Sequence, residues 1–320
     1  MMPSVKLACN AMATRFELVL RGANEVHLRA AGEEAIREIH RIAARFSFYD
    51  PASELSFINR EAREHPVGVS GEMFELLSLC QKVHVESEGA FDPSVGPLMK
   101  AWGFTSGAGS IPALQLLQKA LTETGFGAVQ LDSATQEVFY TKNGLKLDLG
   151  GIAKGWALDE CRTLLADAGI TDALLHGGTS TVIGMGLDGN EKPWSIGIED
   201  PYLENEPNNC DGKQPWFATC TLNNSCLSVS AIHGKSFTEN EIEFGHVINP
   251  TTGQSVTGRL VSSVCATAAA LADAWSTALL VSSSKAAPNR AEKHAGISEF
   301  ATFEKPNSSW LLKRGKWSGF

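Results

Sequence analysis

No CxxC pair occurs in this chain of 320 residues, although it carries seven cysteines: Cys9, Cys80, Cys161, Cys210, Cys220, Cys226 and Cys265. Without such a pair there is no zinc site of the usual spacing, and an odd number of thiols, several inside apolar helical patterns, reads as free cysteine in a reducing compartment. Nor is there any run of lysine and arginine. The formal net charge is −9 and the basic residues are scattered, which argues against nucleic-acid binding through phosphates. An acidic protein that handles phosphate compounds needs a metal or backbone N–H groups to hold them. Equally absent are an internal repeat, a composition break that would mark a linker, and strict βαβ alternation.

The N-terminal stretch "MMPSVKLACN" has no apolar segment of the kind a secretory signal carries. "KLAC" faintly resembles a lipoprotein cleavage box, but no hydrophobic stretch precedes it. The expected location is therefore cytoplasmic, or periplasmic if the N-terminus was trimmed. The one long hydrophobic run is Val264–Val281, which holds Thr267, Asp273, Ser276 and Thr277. An aspartate in mid-span is costly in lipid, so the run reads as a buried core helix and not a membrane span.

What is present is ordinary for a globular protein: 43% apolar and 20% charged residues. "MATRFELVLRG" alternates as an opening strand. "NEVHLRAAGEEAIREIHRIAARFS" is a long amphipathic helix with Asn24 as cap. "YDPASELSFINRE" is a turn-rich loop leading into a short helix, and "SGEMFELLSLCQKVHVESEG" a helix opened by Ser70 and closed by Gly89. "GAFDPSVGPLMKAWGF" reads as a Gly/Pro-punctuated loop, followed by a helix in "PALQLLQKALTETG". Two or three strands surround the turns "DSA" and "KNG", and "IAKGWALDECRTLLADAG" is the next helix. "DALLHGGTSTVIGMG", "WSIGIEDP" and "TCTLNNSCLSVSAIHGKSF" are strand-like, residues 201–220 look like a surface insertion, and "EFATFEK" with "SWLLKRG" forms a terminal hairpin. This mixture predicts an α+β fold in one domain.

Two motifs mislead. "GMGLDG" satisfies GxGxxG, but Pro193 and a strand follow where a dinucleotide site needs a helix. "HGKS" ends like a phosphate loop, but Val229 stands where its first glycine belongs. "LDLGGIAKG" is better placed. A strand ends at Asp148, two glycines follow and a helix begins near Ile152, which puts free N–H groups and Lys154 at a helix N-terminus suited to an anion such as pyrophosphate. A plain structural strand–turn–helix is the alternative.

Asp273 and Thr277 are spaced i, i+4 and share one helix face. A buried carboxylate needs compensation of several kcal/mol, on the order of the penalty for a desolvated ion. Either a capping or salt-bridging partner supplies it, or a hard cation such as Mg²⁺, which takes carboxylate and hydroxyl oxygens, does so. His246 stands at the entrance of the turn "GHVINPTTG", as a structural residue or a functional one. Trp102 and Phe104, at the end of the Asp92–Ser94 loop, either clasp a flat ring or pack.

Together and in this order, "MATRF", "FSFYDPASELSFIN", "GAFDPSVGPLMKAWGF", "LDLGGIAKGWALDE", "LLHGGTSTVIGMG", "WSIGIEDP", "VINPTTG" and "LADAWSTALLV" resemble the ApbE-like FAD:protein FMN transferases. The matching stretches run from Met12 to about Val281. The resemblance implies an ApbE-like, T-fold-related α+β domain. It implies an enzyme that uses FAD as substrate and Mg²⁺ as cofactor. Such enzymes move the FMN half of FAD onto a threonine hydroxyl of an acceptor flavoprotein and release AMP. Carried over, the metal ligands are Gly151, Asp273 and Thr277. Flavin-side contacts map to Met12, Tyr49, Ala90, Phe91, Asp92 and Lys154, and His246 maps to the proposed base. A hydrolase that splits FAD with water, or a flavin-binding protein without catalysis, are the alternatives.

Some positions depart from the family pattern. Ala13 stands where glycine is usual, His233 where an aromatic is, Lys235 where arginine is, and Asn249 where aspartate is frequent. These changes touch acceptor or adenine contacts and leave the metal ligands intact.

Overall fold

Met12 and Ala13 form a two-residue turn with φ of 49° and 57°. It joins β1 (Ser4–Ala11) to β2 (Thr14–Arg21) as an antiparallel hairpin. Both residues on the left-handed side match the right-handed twist of the paired strands. The opening strand expected from Met12 is β2, and β1, which the sequence reading missed, precedes it. In β1 only Val5 is buried, so its apolar alternation is weak in the sequence. The structure is a computed structural model and describes residues 3–107, 109–202, 216–232, 235–282, 286–307 and 309–320.

The helical part begins with α1 (Glu25–Arg45), α2 (Glu54–Glu61) and α3 (Gly71–Glu86). Each is opened by a polar side chain that accepts a backbone N–H three residues on: Asn24 from His27, Ser53 from Ser56 and Ser70 from Met73. Between α2 and α3 lies β3 (Val67–Gly68), and α4 (Gly96–Ala101) and α5 (Leu114–Glu123) follow. The Gly/Pro loop therefore contains a short helix, α4, with Pro97 in its first turn, where the missing N–H costs nothing. β4 (Val129–Asp132) and β5 (Glu137–Tyr140) pair with β3 in a small sheet of order β3-β5-β4. The chain from Leu145 to Leu149 is not a strand; its single bridge is Lys146 to Val95.

The remaining elements are α6 (Ala153–Asp167), β6 (Asp172–Gly177), β7 (Thr181–Met185), β8 (Trp194–Glu199), β9 (Trp216–Leu222), β10 (Ser225–Ala231), β11 (Ser236–Glu239), β12 (Ile242–Gly245), β13 (Leu260–Ala266), α7 (Ala269–Val281), α8 (Ala286–Ala291), β14 (Ile297–Glu304) and β15 (Leu311–Lys316). An eight-stranded sheet runs β1-β2-β6-β7-β10-β13-β14-β15, antiparallel throughout. The expected terminal hairpin is β14–β15. Residues 216–220 of the expected insertion belong to β9, where Ala218 and Cys220 are buried; residues 203–215 lie outside the described residues.

The apolar run from Val264 is split. Val264–Ala266 ends β13, and α7 starts only at Ala269. Among the described residues no helix is long and apolar enough to cross a membrane. Helices α1, α6 and α7 pack on one face of the large sheet, where Leu18, Ile39, Ile42, Leu158, Val264 and Trp275 share one core. Each fully buried aliphatic side chain there contributes about 1.5–3 kcal/mol. The β8–β9 hairpin covers the other face through Ile198, Ala218 and Leu222, against Leu227, Val261 and Phe303. A third cluster joins Leu98, Trp102, Phe104, Leu117 and Ile248. The result is the α+β arrangement of antiparallel sheets and packed helices that the sequence predicts.

Candidate active site

Two small contacts bring α6 and α7 together. A Cβ on Gly155 would lie 2.3 Å from the carbonyl oxygen of Ala269, so only glycine allows this approach. Ala268, which precedes α7, has no capping side chain. Asp159 of α6 caps instead, accepting the N–H groups of Ala269 and Ala270, each at 2.9 Å. Burial pushes the Asp159 carboxyl up, and Arg162 opposes that.

This docking places Asp273 over the first turn of α6. The residue is 2% exposed. Oδ1 accepts from the Ser228 hydroxyl at 3.2 Å, and Oδ2 from the Gly155 N–H at 3.2 Å. Lys154 Nζ lies 3.7 Å from Oδ2. Thr277, one turn on, donates to the Asp273 carbonyl at 3.2 Å. The salt-bridging partner that a buried mid-helix carboxylate requires is therefore Lys154. Among the described residues each carboxylate oxygen accepts one hydrogen bond, which leaves lone pairs for a further ligand.

The glycine turn facing Asp273 is held from behind. Asn59 pairs with Leu147 as a strand would, its Nδ2 donating to the Leu147 carbonyl at 2.8 Å and its Oδ1 accepting the Leu147 N–H at 2.7 Å. Asp148 then accepts the Gly150 N–H at 2.9 Å. Burial pushes the Asp148 carboxyl up, opposed by that bond and by Lys235 and Lys154. A Cβ on Gly151 would touch both Thr277 Oγ1 and the Phe91 ring at 3.4 Å. The start of α6 is less open than expected. The Ile152 and Ala153 N–H groups both go to the Leu149 carbonyl, and that of Gly155 goes to Asp273.

The wall beside Gly151 is the loop of Ala90, Phe91 and Asp92. Asp92 Oδ1 accepts from the Ser94 N–H at 2.7 Å and the Ser94 hydroxyl at 2.5 Å, and Oδ2 accepts the Phe126 N–H at 3.0 Å. Its carboxylate thus fixes the loop. Trp102 and Phe104 are buried and serve packing. They pack on Phe237 and Phe244 of the β11–β12 hairpin, and Trp102 Nε1 donates to the Gly253 carbonyl at 2.7 Å. Asn249 caps its own turn, accepting the N–H groups of Thr251 and Thr252. His246, which follows β12, has Nδ1 3.2 Å from the Lys235 carbonyl. A carbonyl only accepts, so Nδ1 carries the proton and Nε2 keeps its lone pair. Burial, together with the charges of Lys154 and Lys235, holds this imidazole below its ordinary value.

Met12, Tyr49, Ala90, Phe91, Asp92, Gly151, Lys154, His246, Asp273 and Thr277 all line one cleft of about 1040 Å³. That volume is at the top of the range of roughly 300–1,000 Å³ for small-molecule sites. Tyr49 stands at its rim, 62% exposed. Asp148, His176, Ser180 and Lys235 also line it. Sequence reasoning tied Lys235 to acceptor or adenine contacts, as a departure from the family pattern, and assigned the other three no role. Asp148 carried the clearest signal, since it immediately precedes the glycine pair. His233 lies outside the described residues. A separate acidic trio, Glu38 of α1, Glu72 of α3 and Glu160 of α6, is half-buried; Arg41 pairs with Glu38 and Glu72, and Arg45 with Glu72.

The facing donors fit a hard cation: one buried carboxylate, one hydroxyl a turn away and the carbonyls of a glycine turn, all oxygen.

Comparison with known proteins finds one family. The ApbE family model matches residues 12–300. The FAD:protein FMN transferase of Klebsiella pneumoniae (strain 342) is 28% identical over 275 residues, which cover 84% of this chain and 76% of the relative. That of Haemophilus influenzae is 28% identical over 303 residues, 91% of this chain and 84% of the relative. The crystal structure of the ApbE protein from Thermotoga maritima superposes with a TM-score of 0.82 at 27% identity, covering 99% of this chain and 97% of that one. Matched from residue 12 to residue 300, with the same fold throughout, the chain belongs to the ApbE family.

Proposed function

We propose that this protein is an FAD:protein FMN transferase that moves the FMN half of FAD onto a threonine hydroxyl of an acceptor flavoprotein and releases AMP, with Mg²⁺ as its cofactor. The observation that carries this reading is one cleft shared by the buried Asp273–Thr277 pair, the Gly151 turn and His246, whose Nδ1 faces the Lys235 carbonyl. The names of the relatives support the reaction type.

Asp273, Thr277 and the Gly151 carbonyl would hold Mg²⁺, which when bound supplies charge neutralisation at the pyrophosphate. Such transfers need positioning and charge compensation more than covalent help from the protein. Lys154, from the first turn of α6, adds a positive charge beside the same turn. His246 Nε2 accepts the proton of the threonine hydroxyl. The threonine oxygen bonds to the FMN phosphorus as the bond from that phosphorus to the bridging oxygen breaks, and AMP leaves. Phe91, Ala90 and Met12 form the apolar side of the cleft, and Tyr49 its rim, where the flavin ring is placed.

The test is to incubate the protein with FAD and Mg²⁺, with and without a flavoprotein domain that exposes a threonine. AMP release that depends on the acceptor, with flavin fluorescence that survives a denaturing gel, is the expected result. Replacing that threonine by valine keeps the shape and removes the nucleophile, so labelling stops. Equal AMP release without acceptor and no protein-bound flavin would make the protein a hydrolase, and no AMP in either case would make it a binding protein.

A further inference from the structure

Behind the cleft, a chain of hydroxyls leads to Asp273. Ser228 of β10 is fully buried and donates to Oδ1 of Asp273 at 3.2 Å. The direction of that bond is forced, because an ionised carboxylate only accepts. Ser228, having spent its proton, can only accept from its other neighbours. Those are Ser276 of α7, whose hydroxyl lies 3.2 Å away, and Thr181 of β7 at 3.4 Å. Ser276 in turn lies 2.7 Å from Ser230, which lies 3.4 Å from Thr277 Oγ1. The chain thus runs from the carboxylate, through Ser228 and Ser230 of β10 and Ser276 of α7, back to the hydroxyl one turn further along α7.

Strand register makes this possible. Ser228 sits opposite Thr181 on one side and Val264 on the other. Thr181, Ser228 and Ser276 are all fully buried. Among the described residues Ser228 bonds only to Asp273, Ser276 and Thr181, while Ser276 also donates to the Asp273 carbonyl at 3.0 Å. For packing alone, alanine or valine at position 228 would fill the space without any hydrogen-bond requirement. Ser228 ends on Oδ1 of Asp273, and Ser276 on the carbonyl of the same residue.

We infer that Ser228 is a positioning residue for the cation site: it fixes the rotation of the Asp273 carboxylate so that the remaining lone pairs face the Gly151 turn. Polarised from one end, the hydroxyls reinforce one another. Groups of this kind, which touch a ligand and not the ion, are typically worth about 10–100-fold in metal affinity. The inference rests on the reading of Asp273 and Thr277 as cation ligands.

The test is isothermal titration of Mg²⁺ into FAD-free protein, with thermal melts in parallel. Ser228→Ala should weaken Mg²⁺ binding about 10–100-fold, with the FAD dissociation constant in the absence of Mg²⁺ unchanged. Ser276→Ala, which leaves the Ser228 bond to the carboxylate in place, should weaken it in the same direction and by less. A merely structural role predicts lowered melting temperatures and parental Mg²⁺ affinity in both variants, and that result overturns the inference. If the parent protein itself takes up no Mg²⁺, the cation reading falls and the inference with it. If the parent binds and Ser228→Ala binds equally well, the inference alone fails.

Discussion

Lys154 Nζ lies 3.7 Å from Oδ2 of Asp273 and 3.1 Å from the carbonyl of Gly150. The ammonium therefore sits beside both the carboxylate and the glycine turn proposed to bind a cation. Taking the Asp273 charge out of water requires a compensating charge, and without a metal the lysine is that charge. A divalent cation arriving at Asp273 competes with the ammonium for the same oxygen. Lys154, once released, has a four-carbon stem with which to reach a phosphate.

Lys154→Met should accordingly destabilise the cation-free protein. Breaking a fully buried pair costs about 3–5 kcal/mol. The Lys154 side chain is 22% exposed, so solvent screening reduces the expectation to about 1–3 kcal/mol. Added Mg²⁺ should raise the melting temperature of the variant more than that of the parent, because in the variant the carboxylate has no other counter-charge. Differential scanning fluorimetry with and without Mg²⁺ decides the matter: equal shifts in the two proteins would mean that the lysine does not serve the carboxylate.

Asp273→Asn keeps the size of the side chain and the acceptor for Ser228, and removes the charge. AMP release should drop by at least about 100-fold, the scale on which single preorganised charges act. The fold should survive, since the variant no longer buries a carboxylate. Circular dichroism and turnover are measured together, and near-parental turnover in a folded variant contradicts a ligand role.

The imidazole of His246 is held below its ordinary value of 6.5 by burial and by Lys154 and Lys235. The folded protein thus releases this proton more readily than the unfolded chain. Stability from this group is fully present above 6.5 and is lost as pH falls from there through the folded value. For catalysis the neutral base persists into mildly acidic solution, so the acidic limb of the rate profile should lie below 6.5. His246→Ala should remove that limb and slow transfer by roughly 10²–10⁴-fold with little loss of FAD binding. A variant that only melts earlier, at near-normal turnover, marks a structural histidine.

Much of this arrangement is legible in the sequence, because the signals are local. Asn24 and Ser70 mark helix starts by a bond to a residue three positions on. Asp273 and Thr277 stand out because a 3.6-residue period puts them together in an otherwise apolar helix. What stayed hidden depends on distant segments. Ser228, Thr181 and Ser276 come from β10, β7 and α7 and meet only through strand register. Leu147 alternates in the sequence like a strand residue, but it is Asn59, far earlier in the chain, that satisfies its backbone in place of a strand neighbour. The border between β13 and α7 is masked because an apolar strand buried on both faces and a buried helix have the same composition.

The closeness of α6 and α7 offers a sharper test of the fold than any charged group. At Gly155 an added methyl would meet the Ala269 carbonyl at 2.3 Å, with backbone and not a flexible side chain in the way. The obstacle lies where Ala269 and Ala270 are pinned by Asp159, so relief requires α7 to slide along its cap. Overpacking of a core usually costs about 1–3 kcal/mol, occasionally more; with pinned backbone on the far side Gly155→Ala should reach about 3 kcal/mol or more. Gly127→Ala is the matched control, because nothing lies within 4 Å of its added methyl, and it should be nearly neutral. Because the same shift moves Asp273 away from the Gly155 N–H, any Gly155→Ala protein that does fold should also bind Mg²⁺ less tightly. Urea titration of both variants, followed by Mg²⁺ titration of the folded one, measures each effect. Parental stability and parental Mg²⁺ affinity in Gly155→Ala would show that the contact between α6 and α7 does not position Asp273.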